Sequence, residues 1–126
     1  MKKQTVSECL KVVDMGTKKA GSLGVFLEHG AMYFGEEASR IKPRECLGID
    51  WHDKYRQSVE KQGYQFMALD VLKDFNYPAA EYYLAWDFLE HLPSIEDSNN
   101  VLAAMLDHAI KGVWLKMPSF EQDDTG

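Results

Sequence analysis

The stretch VVDMGTKKAGSLG, residues 12–24, decides the fold. Two β-branched residues lead into Asp14, and a turn that contains Gly16 and Gly21 follows. Such a turn can bind a nucleotide, because glycine lets the backbone approach a ligand and a helix start presents free amides. Lys18 and Lys19 stand where such turns usually have glycine. We interpret the stretch as a cofactor turn, with a plain strand–helix turn as the alternative.

Length and composition are those of one globular domain. The chain has 126 residues, 45% hydrophobic and 27% charged, so a single domain over residues 1–126 is expected. The net charge of −6 argues against a nucleic-acid partner. Residues 1–44 contain 8 basic and 5 acidic side chains, against 6 and 15 in residues 45–126. Basic residues therefore surround the glycine turn, where an anionic small molecule could bind.

Cysteine usage and hydropathy indicate the kind of compartment in which the chain works. Cys9 and Cys46 form neither a disulfide framework nor a metal motif, so no metal and a reduced, cytoplasmic setting are expected, with both thiols buried. The basic start MKKQTV is not followed by the apolar region of a signal peptide. No apolar run approaches the ~20 residues that cross a bilayer, so no membrane partner is expected.

Short apolar runs alternate with helix-like stretches. Strands are predicted at 9–15, 46–50, 64–70, 82–87 and 113–117. Helices are predicted at 22–35, 52–63 and 99–112, ending near Gly35, Gly63 and Gly112. The connections are 36–45, 71–81 (a loop or a broken helix) and 88–97. This alternation predicts an α/β fold with a doubly wound, mostly parallel sheet of about five strands.

Ligands of such sheets bind beyond the carboxyl ends of the strands, near the point where strand order reverses. That rule selects the residues that follow Met15, Ile49, Leu69 and Trp86. Three of these strand ends present an acid, namely Asp50, Asp70 and Asp87. A small-molecule site is therefore predicted at this edge of the sheet.

Four segments within residues 11–118 resemble, in order, the motifs of class I S-adenosylmethionine-dependent methyltransferases. Residues 12–24 resemble the first glycine-rich motif, and CLGIDWHDKY (46–55) resembles the second strand with its terminal acid. FMALDV (66–71) resembles the next strand end, and LAWDFLEHLP (84–93) is similar to the D-x-L-E-H-L-P segment of many small-molecule methyltransferases. The resemblance implies a Rossmann-like fold, S-adenosylmethionine as cofactor, and methyl transfer to an acceptor, most simply a small molecule.

The resemblance also assigns residues to the cofactor. They are Asp14, Gly16, Thr17, Gly21, Asp50, Trp51, Asp70, Val71 and Trp86. Asp50 suits the two ribose hydroxyls, because a carboxylate has two acceptor oxygens, and Asp70 suits the adenine amine. Leu23, Trp51, Val71 and Leu89 are expected as apolar walls.

Several of these residues have a structural interpretation as well. Asp14 would orient the loop or face the methionine amine, and Asp70 would cap the next turn. Trp86 would either form a wall of the cofactor site or belong to the hydrophobic core. His91 is the candidate general base, since its unperturbed pKa lies near neutrality, and a histidine that holds the local loop is the alternative.

The chain departs from the family pattern in three places. The loop between Gly16 and Gly21 holds four residues, TKKA, where the family has three including a glycine. If the cofactor binds as the resemblance implies, these lysines would lie beside its sulfonium, and its methionine carboxylate would be their partner. Asp50 follows Gly16 by 34 positions, longer than the ~20 of a dinucleotide unit, so residues 30–45 are expected to form a flap over the site.

The third departure is that the chain ends after strand five, whereas the family sheet has seven strands. The fifth strand is therefore expected to be a bare edge, in a truncated chain or in a subunit that pairs as a homo-oligomer.

Two other functions stay open. One is a degenerate S-adenosylmethionine-binding or interaction module without catalysis, which the lysine-bearing loop favours. The other is an NAD-binding oxidoreductase domain, because an acid after strand two fits both cofactors. The loop lacks the G-x-G-x-x-G spacing of that class, and LAWDFLEHLP fits the methyltransferase better.

Overall fold

The computed structural model describes residues 10–116 and contains one five-stranded, fully parallel sheet. Its strands are β1 (Val12–Met15), β2 (Cys46–Asp50), β3 (Gln65–Ala68), β4 (Ala80–Trp86) and β5 (Ala109–Lys116). Their spatial order is β3-β2-β1-β4-β5, so the order reverses between β1 and β4. The predicted α/β, doubly wound fold is confirmed.

Helices cover both faces of the sheet. They are α1 (Gly21–His29), α2 (Ala31–Phe34), α3 (Arg56–Lys61) and α4 (Ile95–His108). Short 3-10 turns occupy Glu36–Arg40, Pro43–Glu45, Asp53–Tyr55 and Leu89–His91. Val13 and Ile49 belong to the core cluster that includes Met105 of α4, whereas Val12 and Leu84 pack with Phe26 of α1. Because both faces are covered, β1 is buried throughout and only the strand ends remain open for a ligand.

The predicted boundary between the last helix and β5 is wrong. Helix α4 begins at Ile95, where Ser94 Oγ accepts the Asp97 amide at 3.0 Å, and it ends at His108. The predicted helix stop, Gly112, lies inside β5 and pairs with Tyr82. Its lack of a side chain makes room for Phe34, whose Cε1 would lie 3.0 Å from a Cβ at position 112.

The flap expected at residues 30–45 is also wrong. The predicted helix over 22–35 divides at Gly30, and α2 packs on the sheet near β5. The ring centroids of Phe34 and Tyr82 are 4.6 Å apart, and those of Tyr33 and Trp114 are 4.4 Å apart. These ring contacts hold α2 against the sheet.

Some predictions fall on residues outside the described range. These are Cys9 and Met117, the last residue of the predicted fifth strand. Cys46 is buried as predicted, and burial raises the pKa of its thiol to about 12. None of the helices in residues 10–116 is long and apolar enough to cross a membrane.

Candidate functional site

Four strand ends meet around one cavity of about 470 Å³, which we call the first cavity. It is lined by Gly16 and Asp87, which directly follow β1 and β4, by Asp50, the last residue of β2, and by Asp70, two residues after β3. Its other lining residues are Lys18, Ile49, Trp51, Leu69, Val71, Leu72, Phe88, His91 and Leu92. The site predicted from the strand ends is therefore a real concavity, of a size typical for small-molecule sites.

The loop after β1 has a strained conformation. Gly16 has φ +66°, and the non-glycine residues Lys18 and Ala20 have φ +49° and +68°. A left-handed backbone costs a non-glycine residue about 1–2 kcal/mol, and such strain clusters at functional sites. The Lys18 amide donates to Asp50 Oδ2 at 3.0 Å and the Thr17 amide to the Ile49 carbonyl at 2.9 Å. These bonds to β2 hold the loop in place.

Asp50 lines the first cavity and is only 6% exposed. Its Oδ2 accepts the Lys18 amide, and its Oδ1 accepts the His52 amide at 3.4 Å. An ionised carboxylate has about four acceptor positions, so each oxygen can accept one further bond. Two vicinal hydroxyls of a ligand would satisfy both. The neighbouring Trp51, 75% exposed, provides an apolar wall at the rim.

Asp70 serves the local turn and still faces the cavity. Its Oδ1 accepts the Leu72 amide at 3.1 Å, which is the turn-capping role that the sequence left open. Its Oδ2 has no hydrogen-bond partner among residues 10–116 and can accept from a ligand amine. Val71 lines the cavity beside it. By contrast, Leu23 and Leu89, expected as walls, are buried in the core and line neither cavity.

Asp14 lies beneath the loop rather than in a cavity. It is 1% exposed, and the Thr17 hydroxyl donates to its Oδ2 at 2.9 Å. Burial raises the pKa of Asp14 to about 7, although the hydroxyls of Thr17 and Ser22 oppose the shift. Gly48 makes room for this contact, because a Cβ there would come within 2.7 Å of Thr17 Oγ1. The position favours loop orientation over contact with a ligand.

A second cavity of about 430 Å³ lies beside the same loop. It is lined by Gly16, Thr17, Lys18, Lys19, Gly21, Ser22, Tyr55, Trp86 and Asp87. A Cβ on Gly21 would meet nothing within 4 Å, so the space beside this residue is open. Trp86 lines this cavity and not the first, and its Nε1 is buried without a hydrogen-bond partner among residues 10–116.

The two cavities differ in charge. The first has the carboxylates of Asp50, Asp70 and Asp87 against one lysine, and the second has Lys18 and Lys19 against Asp87 alone. The first is therefore suited to a cationic or hydroxyl-rich group and the second to an anion. Gly16, Lys18 and Asp87 line both, so the two cavities are neighbours at these residues.

His91 lies at the edge of the first cavity. Its side chain is 71% exposed, and its Nε2 is 3.5 Å from Glu90 Oε2. Both carboxylate oxygens of Glu90 are buried without a hydrogen bond among the described residues. No cluster of three or more His, Cys, Asp or Glu residues in the part of the chain that the structure describes could hold a metal ion.

Sequence reasoning missed some of the lining. Phe88 was not predicted, because nothing local to the end of β4 shows that its ring packs against Gly16 after β1. Tyr55 has no local signal, because only the folded loop brings it next to Lys19. Asp87 was noted as a strand-end acid but not assigned to the site.

Comparison with known proteins identifies the fold. No protein-family model and no curated protein matches the sequence. Among solved structures, the S-adenosylmethionine-bound amino pentose methyltransferase CalS10 from Micromonospora echinaspora, involved in calicheamicin biosynthesis, is similar at 17% identity and a TM-score of 0.60. The similarity covers 90% of this chain and 45% of that one.

Two further solved structures are similar to this chain in fold. The sugar N-methyltransferase KedS8 from Streptoalloteichus is 10% identical, with a TM-score of 0.58 over 81% of this chain and 37% of its own. A protein described as a methyltransferase, solved with the Trm112 methyltransferase activator of Haloferax volcanii, is 16% identical, with a TM-score of 0.54 over 85% of this chain and 42% of its own. The chain thus spans less than half the length of these structures, and the likeness concerns the fold.

Proposed function

From the Rossmann-like fold of class I S-adenosylmethionine-dependent methyltransferases, which this chain has, we propose that it binds S-adenosylmethionine and serves methyl transfer to a small-molecule acceptor. The observation that supports this most is the position of Asp50. Its carboxylate is nearly buried at the end of β2, is held by two backbone amides, and keeps an acceptor position on each oxygen for ribose hydroxyls.

The lining of the first cavity fits the rest of an adenosine. Asp70 Oδ2 would accept from the adenine amine, and Trp51 and Val71 would contact the faces of the base. The open space at Gly21 and the unpartnered Nε1 of Trp86 leave room and a donor for the methionine end on the far side of Gly16. These are the groups that the cofactor needs at these positions.

When bound, S-adenosylmethionine supplies a sulfonium methyl group, whose transfer forms one bond to the acceptor, breaks the carbon–sulfur bond and leaves S-adenosylhomocysteine. The part that this chain plays is mainly alignment, since a well-positioned nucleophile gains most of the rate from orientation. Asp87 lines both cavities, so its carboxylate would stabilise positive charge between them. His91, exposed at the rim, could accept a proton from an acceptor that reaches it.

Parallel calorimetric titrations with S-adenosylmethionine, S-adenosylhomocysteine and NAD test the cofactor. We expect saturable binding of the two adenosyl compounds and none of NAD. Asp50→Ala should weaken S-adenosylhomocysteine binding by about 1–3 kcal/mol, the value of a hydrogen bond to a charged group. Asp53→Ala is the matched control, because this exposed carboxylate lies in the next turn and lines neither cavity. An unchanged affinity in Asp50→Ala would overturn the ribose assignment.

A binding module without catalysis is the second candidate. Lysines occupy the loop where the family has glycine, and His91, the one candidate base named from the sequence, is exposed at the rim. Binding of S-adenosylhomocysteine with no methyl transfer to any acceptor class would favour this function. Binding of NAD alone would instead favour an oxidoreductase domain.

A second copy of the chain is the protein partner that we propose. In residues 10–116, β5 pairs with β4 on one side and has no strand on the other. A similar protein is solved with an activator protein, which makes a partner subunit a reasonable part of this proposal. An unpaired edge strand is a common route to association.

A further inference from the structure

The second half of the loop after β1 is held by a side chain at the end of α3. Gln62 Nε2 donates a hydrogen bond of 2.9 Å to the carbonyl oxygen of Lys19, which lies 43 positions earlier in the chain. The same nitrogen donates to the Ser58 carbonyl at 2.9 Å. A primary amide has two N–H donors, so these two bonds use both of them. Because an amide oxygen cannot donate, the two carbonyls also determine the orientation of this side chain.

The end of α3 is a firm support for this contact. Val59 of the helix is fully buried in the same core cluster as Phe66 of β3, and the Arg56 guanidinium lies 5.0 Å from the ring centroid of Phe66. The helix then ends in a regular way, because the Gln62 amide donates to the Val59 carbonyl at 3.1 Å and Gly63 follows with φ +95°. The packing of α3 therefore places Gln62, independently of the loop that it contacts.

The part of the loop that Gln62 reaches is strained. Lys19 lies between Lys18 and Ala20, whose φ angles of +49° and +68° are left-handed. A left-handed backbone at residues other than glycine persists only where surrounding contacts fix it. The Thr17 and Lys18 amides are bound to β2, and the Ala20 amide donates to the Thr17 carbonyl at 2.7 Å. Gln62 adds a contact from a second element, α3, just before the loop enters α1.

The start of α1 is what this half of the loop presents to a ligand. The helix begins at Gly21 with no side-chain cap, and Gly21 and Ser22 line the second cavity. The first amides of such a helix are free to bind a ligand. The Lys19 carbonyl and the Ala20 amide belong to one planar peptide unit. A bond that fixes the Lys19 carbonyl therefore sets the direction in which the chain enters α1.

We propose that Gln62 is a positioning residue for the cofactor, because its bond to the Lys19 carbonyl holds the peptide before Ala20 so that the first amides of α1 face the second cavity. This inference rests on the proposed function, which assigns the methionine end of the cofactor to that cavity. Gln62 itself lines neither cavity, so it acts through the loop. Loss of its bond weakens the hold on the amino-acid end of the ligand and spares the adenosine.

Gln62→Met tests this role, since methionine is of similar length and has no N–H donor. Calorimetric titration of the full chain should give an affinity for S-adenosylhomocysteine about three- to tenfold below that of wild type, the equivalent of one net hydrogen bond. The affinity for 5′-methylthioadenosine, which lacks the amino-acid group, should be nearly unchanged. Damage to α3 alone would weaken both ligands alike. Gln57→Met is the matched control, because Gln57 is an exposed glutamine of the same helix that lines neither cavity.

Hydrogen–deuterium exchange of the ligand-free chain measures the loop without any ligand. The Lys18 and Ala20 amides donate hydrogen bonds, so their exchange reports opening of the loop. We expect faster exchange at both amides in Gln62→Met, with β2 unchanged and with Gln57→Met like wild type. Unchanged exchange in the loop, or equal losses of affinity for the two ligands, would overturn the inference. If wild-type protein bound neither compound, the proposed function would fail, and the exchange data would still decide whether Gln62 holds the loop.

Discussion

The ring of Phe88 lies directly against the backbone of Gly16, so a Cβ at position 16 would stand 2.4 Å from Phe88 Cδ1. Gly16 directly follows β1 and Phe88 lies two residues after the end of β4, so the contact joins the two strands between which the sheet order reverses. Gly16 lines both cavities. The shape of the site therefore depends on the absence of a side chain at this residue.

Gly16→Ala should reduce both stability and ligand binding. The new methyl group clashes with Phe88, and the φ of +66° strains any residue with a Cβ. Strain of this kind costs about 1–3 kcal/mol, and the clash adds to it. We expect a lower free energy of unfolding in urea and binding of S-adenosylhomocysteine weakened by about tenfold, the equivalent of 1.4 kcal/mol.

Variants of two other glycines separate the effect of backbone strain from that of the clash with Phe88. Gly35 has φ +94° with no atom within 4 Å of an added Cβ, so Gly35→Ala measures strain without a clash. Gly21 has an ordinary φ and open space, so Gly21→Ala should leave stability unchanged and affect only a ligand that approaches this residue. If Gly16→Ala lowers the free energy of unfolding no more than Gly35→Ala does, the close contact between Gly16 and the Phe88 ring is contradicted.

Asp14 should make stability fall as pH rises toward neutrality. Burial raises its pKa from 3.8 to about 7, so between these values the folded state binds a proton that the unfolded state has lost. The stabilisation is complete below about pH 4 and is lost as pH rises through about 7. The difference in unfolding free energy between wild type and Asp14→Asn should shift by about 2–4 kcal/mol between pH 4 and pH 8, to the disadvantage of wild type. If the difference in unfolding free energy between the two proteins, measured by urea denaturation, stayed constant from pH 4 to pH 8, the raised pKa of Asp14 would be contradicted.

Sequence alone locates what depends on local pattern. Asp50 and Gly16 were found because the end of a buried strand is visible in the alternation of residue types, and parallel strands bring such ends together. Gly112 was misread because a glycine that stops a helix and a glycine that admits a neighbouring ring look alike in sequence. Phe34 decides the second case, and it is 78 positions away from Gly112. Contacts of that kind follow from tertiary packing, which no local window contains.

Phe34→Ala should destabilise the fold and leave the site intact. Its ring contacts Tyr82 and Trp114 at centroid distances of 4.6 and 5.9 Å, on the face of the sheet near β5. Removal of a half-buried phenylalanine should lower the free energy of unfolding by about 2–4 kcal/mol. Affinity for S-adenosylhomocysteine at a temperature where the variant is folded should not change.

Met32→Ala is the control for this variant, since Met32 lies on the same helix α2 and is 77% exposed. Met32→Ala should change neither the free energy of unfolding nor the affinity for S-adenosylhomocysteine. A weaker affinity in Phe34→Ala at full stability would mean that residues 30–45 do reach the ligand, as a flap would.

Ile110→Lys should suppress self-association through β5. This strand has eight residues, pairs only with β4 within the part of the chain that is described, and presents Ile110 at 70% exposure. An edge strand of this length pairs readily with another chain, and an added lysine opposes such pairing through charge repulsion. We expect sedimentation velocity to show a concentration-dependent dimer for wild type and a monomer for the variant. Ile95→Lys, a change at an 80% exposed residue that begins α4, should still form the dimer. A wild-type monomer at every concentration, or equal loss of the dimer in both variants, would exclude association through this edge.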